Sequence, residues 1–309
     1  DVRGSYATQG TALCFLSRAQ ELTPKPPEGY SAEAVDAILA PFAEDPLTGT
    51  DGTVAESPSP DTTGNQNSAA PTTGDAAPEQ PEALPYDGPN VIAIMNETFS
   101  DLSEYPGLEG TNAAPTFFHE VANDSLAAGD VYVSAMGGGT CNSEFEFLTG
   151  ASMGNMGGGV YPYVLYDLEG VDNLASYFRG LGYGTHAIHP AEAANWRRDR
   201  IYEQLGFDTF DDITTMEDAD TFRDLVTDRA TYERVLEKID EGEGPQFVFD
   251  VTIQNHGGYD WDGDGYFDKR IYLTGEEQDK YPTVDQYLSL VRYSDDAVQE
   301  LISYFSKVD

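Results

Sequence analysis

Residues 136–150 read MGGGTCNSEFEFLTG, three glycines directly before a hydroxyl and a thiol. The run could be a plain turn, or it could hold Thr140 or Cys141 as a nucleophile at the mouth of a helix. Glycines would let the backbone approach an anionic ester closely. Three other places carry chemistry of the same kind. NVIAIM is followed by Asn96, Glu97 and Thr98. YGTHAI is followed by His189, and then by the cluster NWRRDR with Trp196 and Arg198. QFVFDVTI is followed by Gln254, Asn255 and His256.

Taken singly, each has an ordinary explanation. Glu97 could cap a helix, a lone histidine is often a satisfied structural residue, and NWRRDR could be a helix start with solvated arginines. Taken together they fit metal-assisted phosphoryl or sulfuryl transfer. A divalent cation held by Glu97 would lower the pKa of a bound Thr140 hydroxyl and make it a usable nucleophile. A helix N-terminus at Thr140 would favour an anionic ester. Arg198, His189 and His256 would bind that ester's oxygens. On this reading Thr140 attacks, and Cys141 is the first buried residue of the helix.

A second metal candidate is DWDGDGYFD. Asp260, Asp262, Asp264, Gly265 and Asp268 follow the start of a calcium loop, but the twelfth position is Ile271 instead of Glu. The alternative is an acidic surface turn.

For the first set to meet, the chain must bring four places to one edge. The apolar runs NVIAIM, DVYVSAM, YGTHAIH and QFVFDVTI have strand length. Helical patterns alternate with them: TFFHEVAND, the segment from Thr140 through CNSEFEFLTG, VDNLASYFRGLG, RRDRIYEQLG, one or more helices within residues 218–242, and a long closing helix over residues 283–308. This order predicts an α/β fold, a mainly parallel sheet sandwiched by helices. In such sheets the active site lies at the carboxyl ends of the strands, where all the candidates fall.

The remaining sequence sets boundaries. Residues 46–86 are Pro, Gly, Ser, Thr and Asn with scattered acids, and read as a disordered linker. Residues 1–45 and 87–309 flank it. The chain of 309 residues carries 55 acids against 16 bases, net −39, which argues against a nucleic-acid partner. No Lys or Arg stands between Lys25 and Arg179, so NWRRDR is an unusual local concentration of positive charge. Cys14 and Cys141 make neither a disulfide framework nor a zinc pattern. No apolar run approaches the ~18 residues that span a bilayer.

At these motifs the sequence resembles the lipoteichoic acid synthase family of the alkaline phosphatase and sulfatase superfamily. NVIAIMNETF resembles its first strand with the metal-binding glutamate, here Glu97. GGGTCNSEFEFLTG resembles its nucleophile motif, with the threonine at Thr140. HPAEAANWRRDRIYEQLGFDTF resembles its substrate-binding segment, with His189, Trp196 and Arg198, and TIQNHGGY places a last histidine at His256. The family usually has a lysine just before the nucleophile, where this chain has Gly139. Its Asp-His metal pair follows a strand beyond the closing helix, so the resemblance implies a C-terminally truncated, inactive piece of a longer chain.

The resemblance further implies a membrane-tethered enzyme at the outer face of a bacterial cell, with residues 1–45 as its juxtamembrane segment and residues 87–309 as its catalytic domain. It would use Mn2+ or Mg2+ to move glycerol phosphate from phosphatidylglycerol, through a covalent threonine, to a polymer or glycan. Other superfamily reactions stand as alternatives: phosphatase or sulfatase hydrolysis, and phosphoethanolamine transfer. Maturation of Cys141 to formylglycine needs C-x-P-x-R, and this chain reads Cys-Asn-Ser-Glu-Phe there. A catalytically inactive extracellular binding module is the reading from another class.

Overall fold

The computed structural model describes residues 31, 33, 34, 37, 88–108, 112–135, 138–261, 271–277 and 280–307. The chain groups into two compact units, residues 24–84 and residues 1–23 with 85–309. In the smaller unit Glu33, Ala34 and Ala37 are helical. There the Ala34 N–H donates to Ser31 Oγ at 3.1 Å, a serine cap. The linker expected over residues 46–86 lies outside the described residues.

The larger unit is built on a parallel sheet. Its strands are β1 (Val91–Met95), β2 (Gly184–Ile188), β3 (Thr209–Asp211) and, after a two-stranded hairpin of β4 (Thr221–Phe222) and β5 (Leu225–Val226), β6 (Gln246–Val251). The sheet order is β1-β6-β2-β3. Ile94 of β1 and Ile188 of β2 both stand opposite Asp250 in the central strand. All four strands run the same way, so their carboxyl ends share one edge.

Seven helices surround the sheet among the described residues: α1 (Thr116–Asp124), α2 (Thr140–Thr149), α3 (Pro162–Leu165), α4 (Leu174–Gly180), α5 (Arg198–Leu205), α6 (Asp228–Glu241) and α7 (Pro282–Phe305). Alternation along β6 divides the core. Phe247, Phe249 and Val251 pack with Cys141, Phe145, Leu148, Tyr202 and Leu205 of α2 and α5. Val248 packs on the other face with Ile188, Ala230 and Val235. Burial on both faces explains why β6 past Gln246 reads as a continuous apolar run broken only by Asp250.

The expected strand DVYVSAM does not form over its described residues, 130–135. Val131 and Tyr132 are 86% and 93% exposed. Alternating apolar residues make a segment fit for a strand, but a strand also needs a neighbour's N–H and C=O groups, and this segment joins no ladder.

Helix α7 holds two layers together through adjacent polar residues. Ser294 donates to Asp228 Oδ2 at the start of α6. Asp295 accepts from the backbone N–H groups of Phe117 at 3.0 Å and Phe118 at 2.8 Å. Pro115, the N-cap of α1, has no side-chain bond of its own. The α7 carboxylate therefore satisfies the open N–H groups of α1 and complements its dipole.

Asp250 and Asp228 are fully buried. Both Asp250 carboxyl oxygens and Asp228 Oδ1 lack a hydrogen-bond partner among the described residues. Burial first, and then Asp228, holds Asp250 well above the usual carboxylate range. Burial likewise pushes Asp228 up to about 6, against hydrogen bonds from Ser294, Gln254 and Thr252. A carboxyl with a raised folded pKa favours folding in its protonated state. Stability from this pair is therefore present at low pH and lost as pH rises from about 4 through the folded values. Asp250→Asn is expected to raise the melting temperature at about pH 8 more than at about pH 4, each unit of pKa elevation removed being worth about 1.4 kcal/mol. Thermal unfolding of both proteins across that range checks it, and an equal gain at both ends would contradict it.

Candidate active site

The carboxyl edge of the sheet collects the residues singled out in the sequence. Glu97 follows β1, His189 follows β2 and His256 stands in the turn after β6. Thr140 is the first residue of α2. Its Oγ1 donates to Glu97 Oε1 at 3.2 Å, joining two residues 43 positions apart. Glu97 is fixed from behind, its backbone N–H donating to Thr252 Oγ1 at 3.0 Å just past β6. Burial raises its pKa, opposed by His256, then Thr140, then Arg198. His256 and Arg198 are thus electrostatic neighbours of the carboxylate.

The local backbone explains the residue before Thr140. Gly139 is the N-cap of α2, with φ 87° and no side-chain cap bond. That left-handed φ favours glycine, and an added Cβ would come within 3.3 Å of Tyr161. A lysine there, as in the resembling family, would need a different backbone. The Asn142 N–H turns back to Gly139 O at 2.8 Å, which leaves the Thr140 and Cys141 N–H groups at the start of α2 open to an anion among the described residues.

Cys141 is fully buried and its thiol is pushed up to about 12, by burial first and by Glu144 second. A thiol held protonated is a poor nucleophile.

Arg198 lies inside the protein at 2% exposed, beside fully buried Glu144. Its Nε donates to both Glu144 oxygens at 3.2 Å and its Nη2 to Oε1, a two-pronged pair. Tyr202 Oη donates to Glu144 Oε2 at 2.7 Å. Burial works against the Arg198 charge, but Glu144 outweighs it and raises the arginine further. Nη1 makes one long contact, 3.4 Å to Asn195 O. Glu144 and Tyr202 were not singled out in the sequence. Their signal was spacing: Glu144 stands four residues after Thr140, and Tyr202 four after Arg198, each on the same helix face.

His189 is 3% exposed. Its Nδ1 lies 2.8 Å from Val251 O and donates there, so Nε2 is the acceptor of the neutral ring. Burial, then Arg198, lowers its pKa to about 4. Trp196 stacks on Tyr161 with ring centroids 4.9 Å apart. Trp196 and Arg197 both hold left-handed backbone, φ 57° and 60°, a conformation non-glycine residues adopt at a cost of roughly 1–3 kcal/mol each.

The calcium-loop expectation is reached only at its ends. Asp260 is exposed, Ile271 is half-buried, and Asp262, Asp264 and Asp268 lie outside the described residues. Among the described residues no group of three or more His, Cys, Asp or Glu gathers as a metal cage. Glu97 and Thr140 nevertheless offer two adjacent oxygen donors of the kind a hard divalent cation prefers.

A threonine hydroxyl at a helix start thus faces a carboxylate at the end of β1 of a parallel sheet. The chain belongs to the Sulfatase family, whose match runs over residues 89–309. A Rhizobium meliloti protein named for cyclic beta-1,2-glucan modification is 32% identical over 72% of this chain and 34% of its own length. Lipoteichoic acid synthase 1 of Bacillus subtilis is 26% identical over 69% of this chain and 33% of its own. The fold is shared with the Streptococcus pyogenes phosphoglycerol transferase GacH, solved in complex with sn-glycerol-1-phosphate. That likeness has a TM-score of 0.61 at 22% identity, over 72% of this chain and 59% of that one. The chain spans about a third of the length of these two curated relatives.

Proposed function

We propose that the protein transfers glycerol phosphate from phosphatidylglycerol to a glycan or glycerol phosphate polymer of the cell envelope, through a covalent intermediate on Thr140. The observation that carries this reading is the Thr140 hydroxyl at the start of α2, hydrogen-bonded to Glu97. The names of the relatives support the choice of phosphoglycerol over other superfamily substrates. The glucan-modification relative, the more similar of the two curated ones reported, favours a glycan acceptor.

The chain's own residues divide the work. Thr140 Oγ1 forms the new bond to phosphorus, and the bond from phosphorus to the diacylglycerol oxygen breaks. That oxygen leaves as a hydroxyl. An acceptor hydroxyl then takes the phosphorus and Thr140 regains its proton. Open N–H groups at the start of α2 bind the ester's charge, and Arg198 Nη1 meets one of its oxygens. Neutral His189 presents Nε2 as an acceptor, which suits a glycerol hydroxyl better than a phosphate oxygen. Trp196 and His256 border the substrate. Glu97 and Thr140 would hold a Mn2+ or Mg2+ ion, whose chemistry is to lower the pKa of the threonine hydroxyl and offset phosphate charge.

Residues 87–309 form the catalytic domain in this reading, and the enzyme works at the outer face of the membrane. No helix among the described residues is long and apolar enough to cross a bilayer. Incubating the full-length protein with manganese and labelled phosphatidylglycerol is expected to add the mass of glycerol phosphate to the peptide bearing Thr140. Release of glycerol phosphate or inorganic phosphate from the lipid, with no such adduct, would refute the assignment.

A further inference from the structure

The loop that carries His256 is held by an arginine that no motif singled out. Arg223 sits on the hairpin between β4 and β5, away in sequence from every strand end of the main sheet. Its Nη2 donates to Gln254 O and His256 O, each at 2.9 Å, and its Nη1 to Gly258 O at 2.6 Å. The guanidinium also lies 5.8 Å from the centre of the Tyr259 ring. Three carbonyls and one aromatic face of a single turn thus converge on one side chain. The turn adds bonds of its own, Tyr259 Oη to Asn255 O and the His256 N–H to Ile253 O, each at 2.9 Å.

The hairpin is shaped for this contact. Its two central residues, Arg223 and Asp224, both have left-handed backbone, φ 54° and 61°. A two-residue turn of this type normally carries Asn-Gly or Asp-Gly. Here the first position is arginine, a residue that the turn geometry disfavours and the contact to the loop requires. The charge is uncommon too. With 55 acids in the chain, no ion pair to a carboxylate forms at Arg223 among the described residues. Its Nη1 and Nη2 donate to backbone carbonyls while Nε has no partner among the described residues, and burial lowers its pKa while Tyr259 opposes. Tyr259 is in turn an electrostatic neighbour of Glu97. Arg223 is therefore a buried-sided cation coupled to the site through the loop it grips.

We infer that Arg223 is a positioning residue: by bridging the carbonyls of Gln254, His256 and Gly258, it fixes the His256 imidazole at the carboxyl edge of the sheet. The inference rests on the reading of His256 as a group bordering the substrate. Lysine keeps the charge but presents a single ammonium, which cannot span three carbonyls in a fixed plane.

The test uses the full-length protein with labelled phosphatidylglycerol, and variants Arg223→Lys, Arg223→Ala, His256→Ala and Arg223→Ala with His256→Ala. Arg223→Lys is expected to lose kcat/KM about as severely as Arg223→Ala, by about tenfold or more. His256→Ala on top of Arg223→Ala is expected to add little, because both changes remove the same placed imidazole. The His256 ring signals in an NMR spectrum are expected to shift and broaden in both Arg223 variants while signals from α6 and α7 stay in place. Wild-type kinetics in Arg223→Lys, or two losses that multiply, would overturn the inference. So would unchanged His256 signals. If His256→Ala alone is silent in turnover, the reading of the site fails at His256, and the ring signals still decide whether Arg223 holds the loop.

Discussion

Thr140→Ala in the full-length protein is expected to abolish both the labelled peptide adduct and transfer, with kcat reduced by about three orders of magnitude or more. Thr140→Ser is expected to retain the adduct, since it keeps the hydroxyl that faces Glu97. The pair of variants separates two meanings of the Thr140 to Glu97 bond. If the bond only ties α2 to the end of β1, alanine costs stability and serine restores it, with no adduct in either. If the hydroxyl is the nucleophile, alanine leaves the melting temperature nearly unchanged and removes all chemistry. Cys141 offers no detour, because its thiol is buried and pushed up to about 12. Adduct on any residue other than Thr140 in the wild-type protein would end this assignment.

Glu144→Ala is expected to destabilise the domain by about 3–5 kcal/mol, because it strands the Arg198 charge in an apolar interior. Arg198 is 2% exposed and Glu144 is fully buried, so water cannot reach the Nε and Nη2 side that Glu144 occupies without opening the core. Tyr202 Oη would lose its acceptor in the same step, adding to the cost. Replacing both charges together, Glu144→Met with Arg198→Met, is expected to recover much of that loss in denaturant unfolding while leaving transfer impaired. Stability would then be restored without the Nη1 group proposed to meet the ester. A double variant that is both stable and fully active would remove Arg198 from the site.

The fold was legible in the sequence where two signals agreed. QFVFDVTI and NVIAIM were readable because a parallel strand covered on both faces is apolar throughout, and helices from Thr140 and Arg198 were readable from spacing and from the glycines that end them at Gly150 and Gly206. DVYVSAM misled because composition reports what a strand would tolerate and not whether a neighbour is there to pair. Strands of two and three residues such as β3, β4 and β5 are too short for any periodicity. At the site, Glu97, His189 and His256 were legible at strand ends, whereas Thr140 starts a helix with no strand directly before it over the described residues. The environment of Arg198 was not: that a cluster of positive charge would place one member in the interior depends on Glu144, which only the packing of α5 against α2 brings near. Arg223 had no local signal, because its role lies in bonds to backbone carbonyls 31 to 35 residues away.

The neighbouring pair Ser294 and Asp295 has a consequence for α7 as a mechanical part. Successive residues on a helix project about 100° apart, and these two engage different bodies, one the start of α6 and the other the start of α1. Apolar packing alone would let a long helix roll or slide by small amounts at little cost. Two polar teeth at fixed angles forbid both motions, since any turn of the axis unseats at least one. The helix is keyed like a shaft in a slot. An insertion or deletion of one residue in the first half of α7 would mis-index both teeth at once, while equally large changes past Leu301 would leave them seated.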